Sequence, residues 1–376
     1  MAINWNCSRK NEKFTYKKVL YPSFEENDEY RYFSGGNVEY SLYSDLKCSA
    51  SLNVEGNNLP DMNSLVRIYY SFEDDYGNAS GLIPLATLFI TCSEPAWDGS
   101  KTSMSITGYS TLYLLSQRIL GAPRTYLEGT NPIEEAKSIL EGYHIADSAK
   151  IDAANTGRKL NAPHTFDADD SLLEVVNWLF NAGGANAAMP DALGMVAPYS
   201  DAQTVPVFTF KDDASSIMYP DASKSTNFYD LPNVCRVYYS NADESIWAVA
   251  INIDPASDIS TVTLGYEKTL YENYSEVAGD TTEERQKNLA AKASYALLDN
   301  TAQIDYVTIK NAYCGLNIND NVLIDYQLAG INFQGNISNL SISLESAIPV
   351  TTKVRHYEMR DYQIESKSGW IIKPAE

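Results

Sequence analysis

The densest group of chemically capable side chains is acidic: Asp167, Asp169, Asp170 and Glu174. Carboxylates so spaced can chelate calcium, but the twelve-residue calcium loop also needs a turn glycine and a distal glutamate, and this segment has neither in place. The same carboxylates stand at the start of an apolar-periodic run, where they complement the positive end of a helix. Asp74/Asp75 and Asp212/Asp213 fall in polar turns, and nothing singles out the two distant acids a glycosidase would use. His144, His164 and His356 are scattered and form no HExxH pair. No GxSxG, GxxxxGK(S/T) or GxGxxG occurs, so nucleophile elbows, phosphate loops and dinucleotide folds have no support. Cys7, Cys48, Cys92, Cys235 and Cys314 are odd in number and contain no CxxC, which predicts free thiols in a chain made in a reducing cytosol. The expectation is therefore no catalytic residue, no cofactor and no metal site.

Aromatic residues offer a different chemistry. Tyr is abundant at 27, against Phe 11 and Trp 5, and its amphipathic ring suits half-buried strands and subunit contacts. The pairs Tyr69/Tyr70 and Tyr238/Tyr239 occupy adjacent strand positions, so one ring of each should enter the core and the other face solvent or a partner. Exposed tyrosines or Trp97 would also serve as a stacking platform for sugar.

The elements that must carry these residues change period along the chain. Cys48, Ala50, Leu52 and Val54 alternate with polar neighbours, and strands are expected again at 65–72, 83–92 and 103–109. Leu112, Leu115 and Ile119 then follow a helical spacing that stops at Gly121 and Pro123. Asn131, Pro132 and Glu134 open a helix carrying Ile133, Ala136 and Leu140. Ser171 and Glu174 cap another, with Leu172, Val175, Val176, Leu179 and Phe180 on its stripe and Gly183 and Gly184 at its end. Strand patterning returns from about 204, with Trp247, Val249, Ile251 and Ile253 alternating, and a helix over 281–298 interrupts it. The fold class read from this order is α+β.

Composition limits the partners. Lys plus Arg 28 against Asp plus Glu 49 gives a net charge of −21, which disfavours a sequence-independent grip on nucleic acid. The N-terminus lacks a signal-peptide pattern, and no segment approaches the roughly 20 apolar residues of a membrane span.

The order of segments carries a resemblance. SLYSDLKCSASLNVEG (41–56), NSLVRIYYSF (63–72) with its Arg67, and PLATLFITCSEPAWDGSKTSMSITGYSTLYLLS (84–116) with Thr107-Gly108-Tyr109-Ser110 resemble the opening barrel of the phage tail baseplate hub and tail-associated protein family. DSLLEVVNWLFNAGG (170–184) is similar to the helix of that family's small inserted domain, and Pro198-Tyr199 and 207–211 to the strands that return from it. PNVCRVYYSN (232–241), the helix near 281–299, GLNINDNVLIDY (315–326) and 333–344 resemble the closing barrel. There the usual Gly-Asp-x-Val turn is replaced by Asn319-Asp320-Asn321-Val322.

The resemblance implies two β-barrel tube-like domains and a small helical insertion: 1–120 plus 205–255 as the first barrel, 121–204 as the inserted α-rich domain, 256–355 as the second barrel with one helix, and 356–376 as a C-terminal extension. It implies a homotrimer whose two barrels per chain make a pseudo-sixfold ring, a structural virion protein at the tail tip or baseplate, assembled in the host cytoplasm. Its partners would be the tail tube or distal tail protein, the tape measure protein and a central spike or receptor-binding protein. No enzyme is expected, and no cell-wall-cleaving domain after the last barrel. The competing readings are a host-surface carbohydrate-binding tail module and, behind it, a cell-wall hydrolase.

Overall fold

A computed structural model describes residues 5, 9–27, 31–32, 34–55, 64–98, 101–200, 205–213, 216–226, 231–240, 245–255, 257–277, 279, 281–301, 305–345, 347–355, 362–366 and 369–373. Strand makes up 46% of it and helices are few. The chain opens with β1 (Lys10–Leu20), β2 (Gly35–Ser41), β3 (Cys48–Glu55), β4 (Leu65–Glu73), β5 (Ile83–Asp98) and β6 (Lys101–Ser110). Helices α1 (Leu112–Ser116), α2 (Pro132–Gly142), α3 (Ser148–Ala154) and α4 (Leu172–Ala182) follow. Next come β7 (Phe208–Lys211), β8 (Met218–Thr226), β9 (Val234–Ser240), β10 (Ser245–Asn252) and β11 (Thr269–Tyr274), with a helical turn at Thr261–Leu264, and then α5 (Thr282–Thr301). The last elements are β12 (Asp305–Ala312), β13 (Asn321–Tyr326), β14 (Ile331–Ser343), β15 (Pro349–Arg355), β16 (Tyr362–Ser366) and β17 (Gly369–Lys373).

Local rules account for several of these starts and faces. Cys48, Ala50, Leu52 and Val54 are all buried along β3, as their alternation requires. At α4 the Ser171 hydroxyl accepts from Glu174 N while Glu174 Oε2 accepts from Ser171 N at 2.8 Å, a reciprocal capping box. Asn131 Oδ1 accepts from Ile133 N at the start of α2, with Pro132 where its missing N–H costs nothing. The expected stripe of α1 is too long: Leu112 and Leu115 are buried, but the helix ends at Ser116 and Ile119 is 62% exposed, forming a strand bridge to Ser171 instead.

A fourteen-stranded sheet runs through both halves of the chain; eleven of its strands follow the order β8, β12, β15, β14, β2, β3, β6, β5, β4, β1 and the short strand Glu25–Glu26, with β7, β13 and the short strand Arg31–Tyr32 off this path. The halves join where β2 and β14 pair antiparallel, with Tyr40 opposite Leu340 and Val38 opposite Ile342. One apolar core follows, in which Ile68, Ile90 and Ile106 share a cluster with Val307, Ile324 and Val354. Where two β-barrels were expected, the strand path among the described residues stays open and no closed barrel forms.

Strands within 205–255 do not pair with those of 1–120 among the described residues: β7 pairs with β13, β8 with β12, and β9 and β10 form a second, five-stranded sheet with β11, β16 and β17. A change of period marks where the helical segment begins and ends, but carries no information about which strand the returning chain will meet. Helix α5 packs on this second sheet through Leu289, Ala293 and Leu297. The sheet face it covers is Ile246, Ala248 and Ala250 rather than Trp247 and Ile251, because small side chains let a helix approach the sheet closely.

Candidate functional site

The side chains that drew attention in the sequence are turned inward on local structure. Asp170 Oδ2 accepts from Asp167 N at 2.7 Å, and the bonds from Ser171 hold the Glu174 carboxyl below its usual range. Asp74 Oδ1 caps a turn by accepting from Tyr76 N and Asn78 N, and Asp212 Oδ2 accepts from Leu328 N. His164 stacks on Trp178 with ring centroids 4.0 Å apart, and burial lowers its imidazole against the pull of Asp170. His144 sits exposed at a left-handed φ of 57°. Cys48, Cys235 and Cys314 are buried free thiols that burial pushes up to about 12, and Cys92 is free and exposed. Cys7 and His356 lie outside the described residues, as does the side chain of Trp97.

The tyrosine pairs divide. Tyr239 is buried and Tyr238 is 41% exposed, as alternation requires. Both members of the other pair are buried, because each finds a carboxylate: the Tyr69 hydroxyl donates to Glu26 and the Tyr70 hydroxyl to Glu12 Oε1 at 2.6 Å.

Glu26 is the centre of a joint between the opening strands and the helical insertion. Arg67 on β4 donates through Nη1 to Glu26 Oε1 at 2.6 Å, through Nε to Thr87 Oγ1 at 2.8 Å and through Nη2 to Leu193 O at 2.9 Å. Lys17 Nζ donates to the other Glu26 oxygen at 2.7 Å. Burial opposes ionisation of Glu26, but the bonds from Lys17, Tyr69 and Arg67 outweigh it and bring the carboxyl down to about 2. The insertion meets this cluster with the turn 191–195. Thr87 Oγ1 donates to Ala192 O and Thr111 Oγ1 to Gly194 O at 2.8 Å, while Asp191 Oδ1 accepts from Leu193 N and Met195 N. Gly194 is required there: its φ is +86°, and a Cβ would lie 3.0 Å from Thr111 Cγ2 and 3.1 Å from Thr87 Cβ. The sequence hinted at Arg67 as a polar residue in an apolar strand; Glu26 had no signal, since only the folded chain brings it to β4.

The turn that departs from glycine is also explained. Asn319 adopts φ 69°, a left-handed conformation that asparagine tolerates. Its Nδ2 donates to Ser200 O at 2.8 Å, and its carbonyl accepts from Asn336 Nδ2 at 2.9 Å. In the Thr107-Gly108-Tyr109-Ser110 segment, a Cβ on Gly108 would stand 3.0 Å from Phe89 O on the neighbouring strand, so the close strand approach calls for glycine.

Two surfaces remain open to partners. Strand β8 ends the long sheet, with only β12 beside it in the strand order. The face of the five-stranded sheet away from α5 carries Arg236, Tyr238, Trp247 and the 65% exposed Tyr271, in register across three strands. Among the described residues no helix is long and apolar enough to cross a membrane.

No family model and no curated protein matches this sequence. Solved structures do match. A tail protein from Neisseria meningitidis MC58 superposes with a TM-score of 0.64 over 92% of this chain and 96% of its own, at 11% identity. The 43 kDa tail protein of prophage MuSo2 from Shewanella oneidensis matches equally, TM-score 0.64 at 10% identity, over 92% and 98% of the two chains. This chain has the fold of the phage tail proteins. A chain of the Francisella PdpA-VgrG complex shares it over 96% of this chain and 55% of that one, with a TM-score of 0.54 and 9% identity. The resemblance read from the segment order is thus borne out at the level of the fold.

Proposed function

We propose that the protein is the hub of a phage tail tip or baseplate, a structural virion component that joins the tail tube to the central spike or fibre and surrounds the path of the DNA. The observation that carries this reading is the match of nearly the whole chain to nearly the whole of two tail proteins. The two parts of the long sheet supply the two tube-like domains of each chain, and three chains complete a pseudo-sixfold ring, with β8 as an edge available for pairing between copies. The ring contacts the tail tube or distal tail protein, the tape measure protein and the spike or receptor-binding protein, and is assembled in the host cytoplasm without catalytic activity. Its acidic composition, −21 per chain, keeps passing DNA from adhering to the wall.

Light scattering coupled to gel filtration of the chain, alone and mixed with its tail-tube protein, tests this: a mass of three chains in either sample is expected, and a stable dimer in both contradicts it. Peptidoglycan zymography tests the absence of catalysis, where clearing that disappears on substituting one carboxylate would establish a hydrolase.

The carbohydrate-binding alternative is favoured by one observation, an aromatic patch on one sheet face in which Tyr238 stands opposite Trp247 and Tyr271 opposite the neighbouring Arg236. A glycan array with the native chain and a Tyr271→Ala variant decides it; binding lost in the variant supports a sugar platform, and no binding by either removes it.

A further inference from the structure

Helix α5 has two working faces. Leu289, Ala290, Ala293 and Leu297 bury against the five-stranded sheet, while Asn288, Ala291, Lys292 and Tyr295, at i, i+3, i+4 and i+7, turn toward the helical insertion. Between them and the C-terminal end of α4 lies a cleft of about 370 Å³, lined also by Arg158, Asn181 and Tyr274.

Two cations share this cleft in a strongly acidic protein. Lys292 Nζ stands 4.4 Å from the centroid of the Tyr274 ring, and burial, with Arg158 adding to it, brings its amine down to about 8 against the pull of Glu272 and Glu276. Burial likewise lowers the Arg158 guanidinium, with Glu276 opposing. Among the described residues neither cation has a carboxylate within ion-pair distance. Of the nearby acids, Glu272 Oε2 accepts from the Tyr274 hydroxyl at 2.5 Å and Glu276 Oε1 from Asn161 N at 2.7 Å, while the buried Glu276 Oε2 accepts no hydrogen bond among the described residues. Burial raises the Glu276 carboxyl, with Asn161 N, Arg158 and Lys292 opposing. Arg158 Nη1 lies beside Gly184, near enough that an added Cβ there would stand 3.1 Å from it, at the carbonyl end of α4.

Convergent, partly desolvated cations beside amide and hydroxyl groups in a concave site are the arrangement that recognises an oxyanion. We propose that the cleft between α4 and α5 is an oxyanion-binding site in which Arg158 and Lys292 hold either a carboxylate of an acidic polypeptide segment or a free phosphate. The site is independent of the hub reading: it stands on the cleft alone.

Titration calorimetry with inorganic phosphate and, separately, with a hexaglutamate peptide distinguishes the two sources. At least one probe is expected to bind, and Arg158→Gln and Lys292→Gln are each expected to weaken it by about tenfold or more. Phosphate binding alone assigns the site to a free anion, and hexaglutamate binding to an acidic segment, since a chain of this charge otherwise repels that peptide. Lys292→Gln removes a buried charge and keeps the fold, so the test survives if the Arg158 variant does not fold. Tyr295→Ala, at the 72% exposed rim, is expected to weaken binding a few-fold without altering the unfolding midpoint. Failure of both probes to bind the native chain, or binding unchanged by the Lys292 substitution, overturns the proposal.

Discussion

Two of the polar junctions between the helical insertion and the rest of the molecule are built in opposite ways. At the Arg67 junction two cations and one carboxylate interlock with hydroxyls and backbone carbonyls, and the Arg67 and Glu26 side chains are 7% and 23% exposed. At the α5 junction two cations face a cleft while the nearby carboxylates bond elsewhere. The first arrangement fixes the insertion to β4 and β5. The second leaves charge uncompensated, as a receptor for a charged group does. Polar density alone separates neither from the other; the pairing of charge does.

The largest expected effect breaks the first junction. Arg67→Met leaves Glu26 without its shortest ion pair and Leu193 O without its donor, and should cost about 3–5 kcal/mol in urea unfolding. A double-mutant cycle with Glu26→Gln should recover part of that loss, since the two groups share one network.

Acid probes the same junction more gently. The Glu26 carboxyl is depressed to about 2 in the fold, so its contribution is complete above about pH 4.5 and is lost as pH falls through 2. With allowance for solvent screening the loss is about 2 kcal/mol. Native and Glu26→Gln chains compared across that window should differ in slope, and identical slopes would remove Glu26 from the account. Gly194→Ala, which forces a Cβ against Thr87 and Thr111 at a left-handed φ, should cost about 1–2 kcal/mol by thermal unfolding.

The smallest effect has the opposite sign. Lys292, facing Arg158, Glu272, Glu276 and Tyr274, is harder to protonate in the fold than in the unfolded chain. Stability should therefore rise as pH goes from about 8 to about 10.5. Lys292→Met should flatten that rise and stabilise the chain by roughly 1 kcal/mol at neutral pH. Destabilisation by Lys292→Met would show that the second junction is a joint like the first.

Much of this architecture was legible where local rules decide. The alternation of Cys48 to Val54, the Ser171/Glu174 box and the Asn131-Pro132 start each depend on neighbours a few residues away, and each appears as read. Long-range pairing was not legible. Nothing in β2 names β14 as its partner, and nothing in 234–252 separates those strands from the opening sheet. Faces were misread where both sides of a strand are apolar, as at Ile246 to Ile251, since periodicity then cannot say which side a helix will cover. One ring of the Tyr69/Tyr70 pair was expected to face outward; the carboxylate that draws Tyr69 inward lies 43 residues away in sequence. The cleft had a partial signal, the polar positions 288, 292 and 295 around Ala291 on α5, but its facing Arg158 comes from the distant insertion.

The central claim is that this chain is a ring component at the end of a tail. Cryo-electron microscopy of tail particles purified from the strain that carries the gene tests it most directly. The account predicts three copies of the chain around the tail axis, between the last tube ring and the spike. Fully assembled tails that lack the chain, or density that places it in the capsid or along the tail shaft, would contradict it.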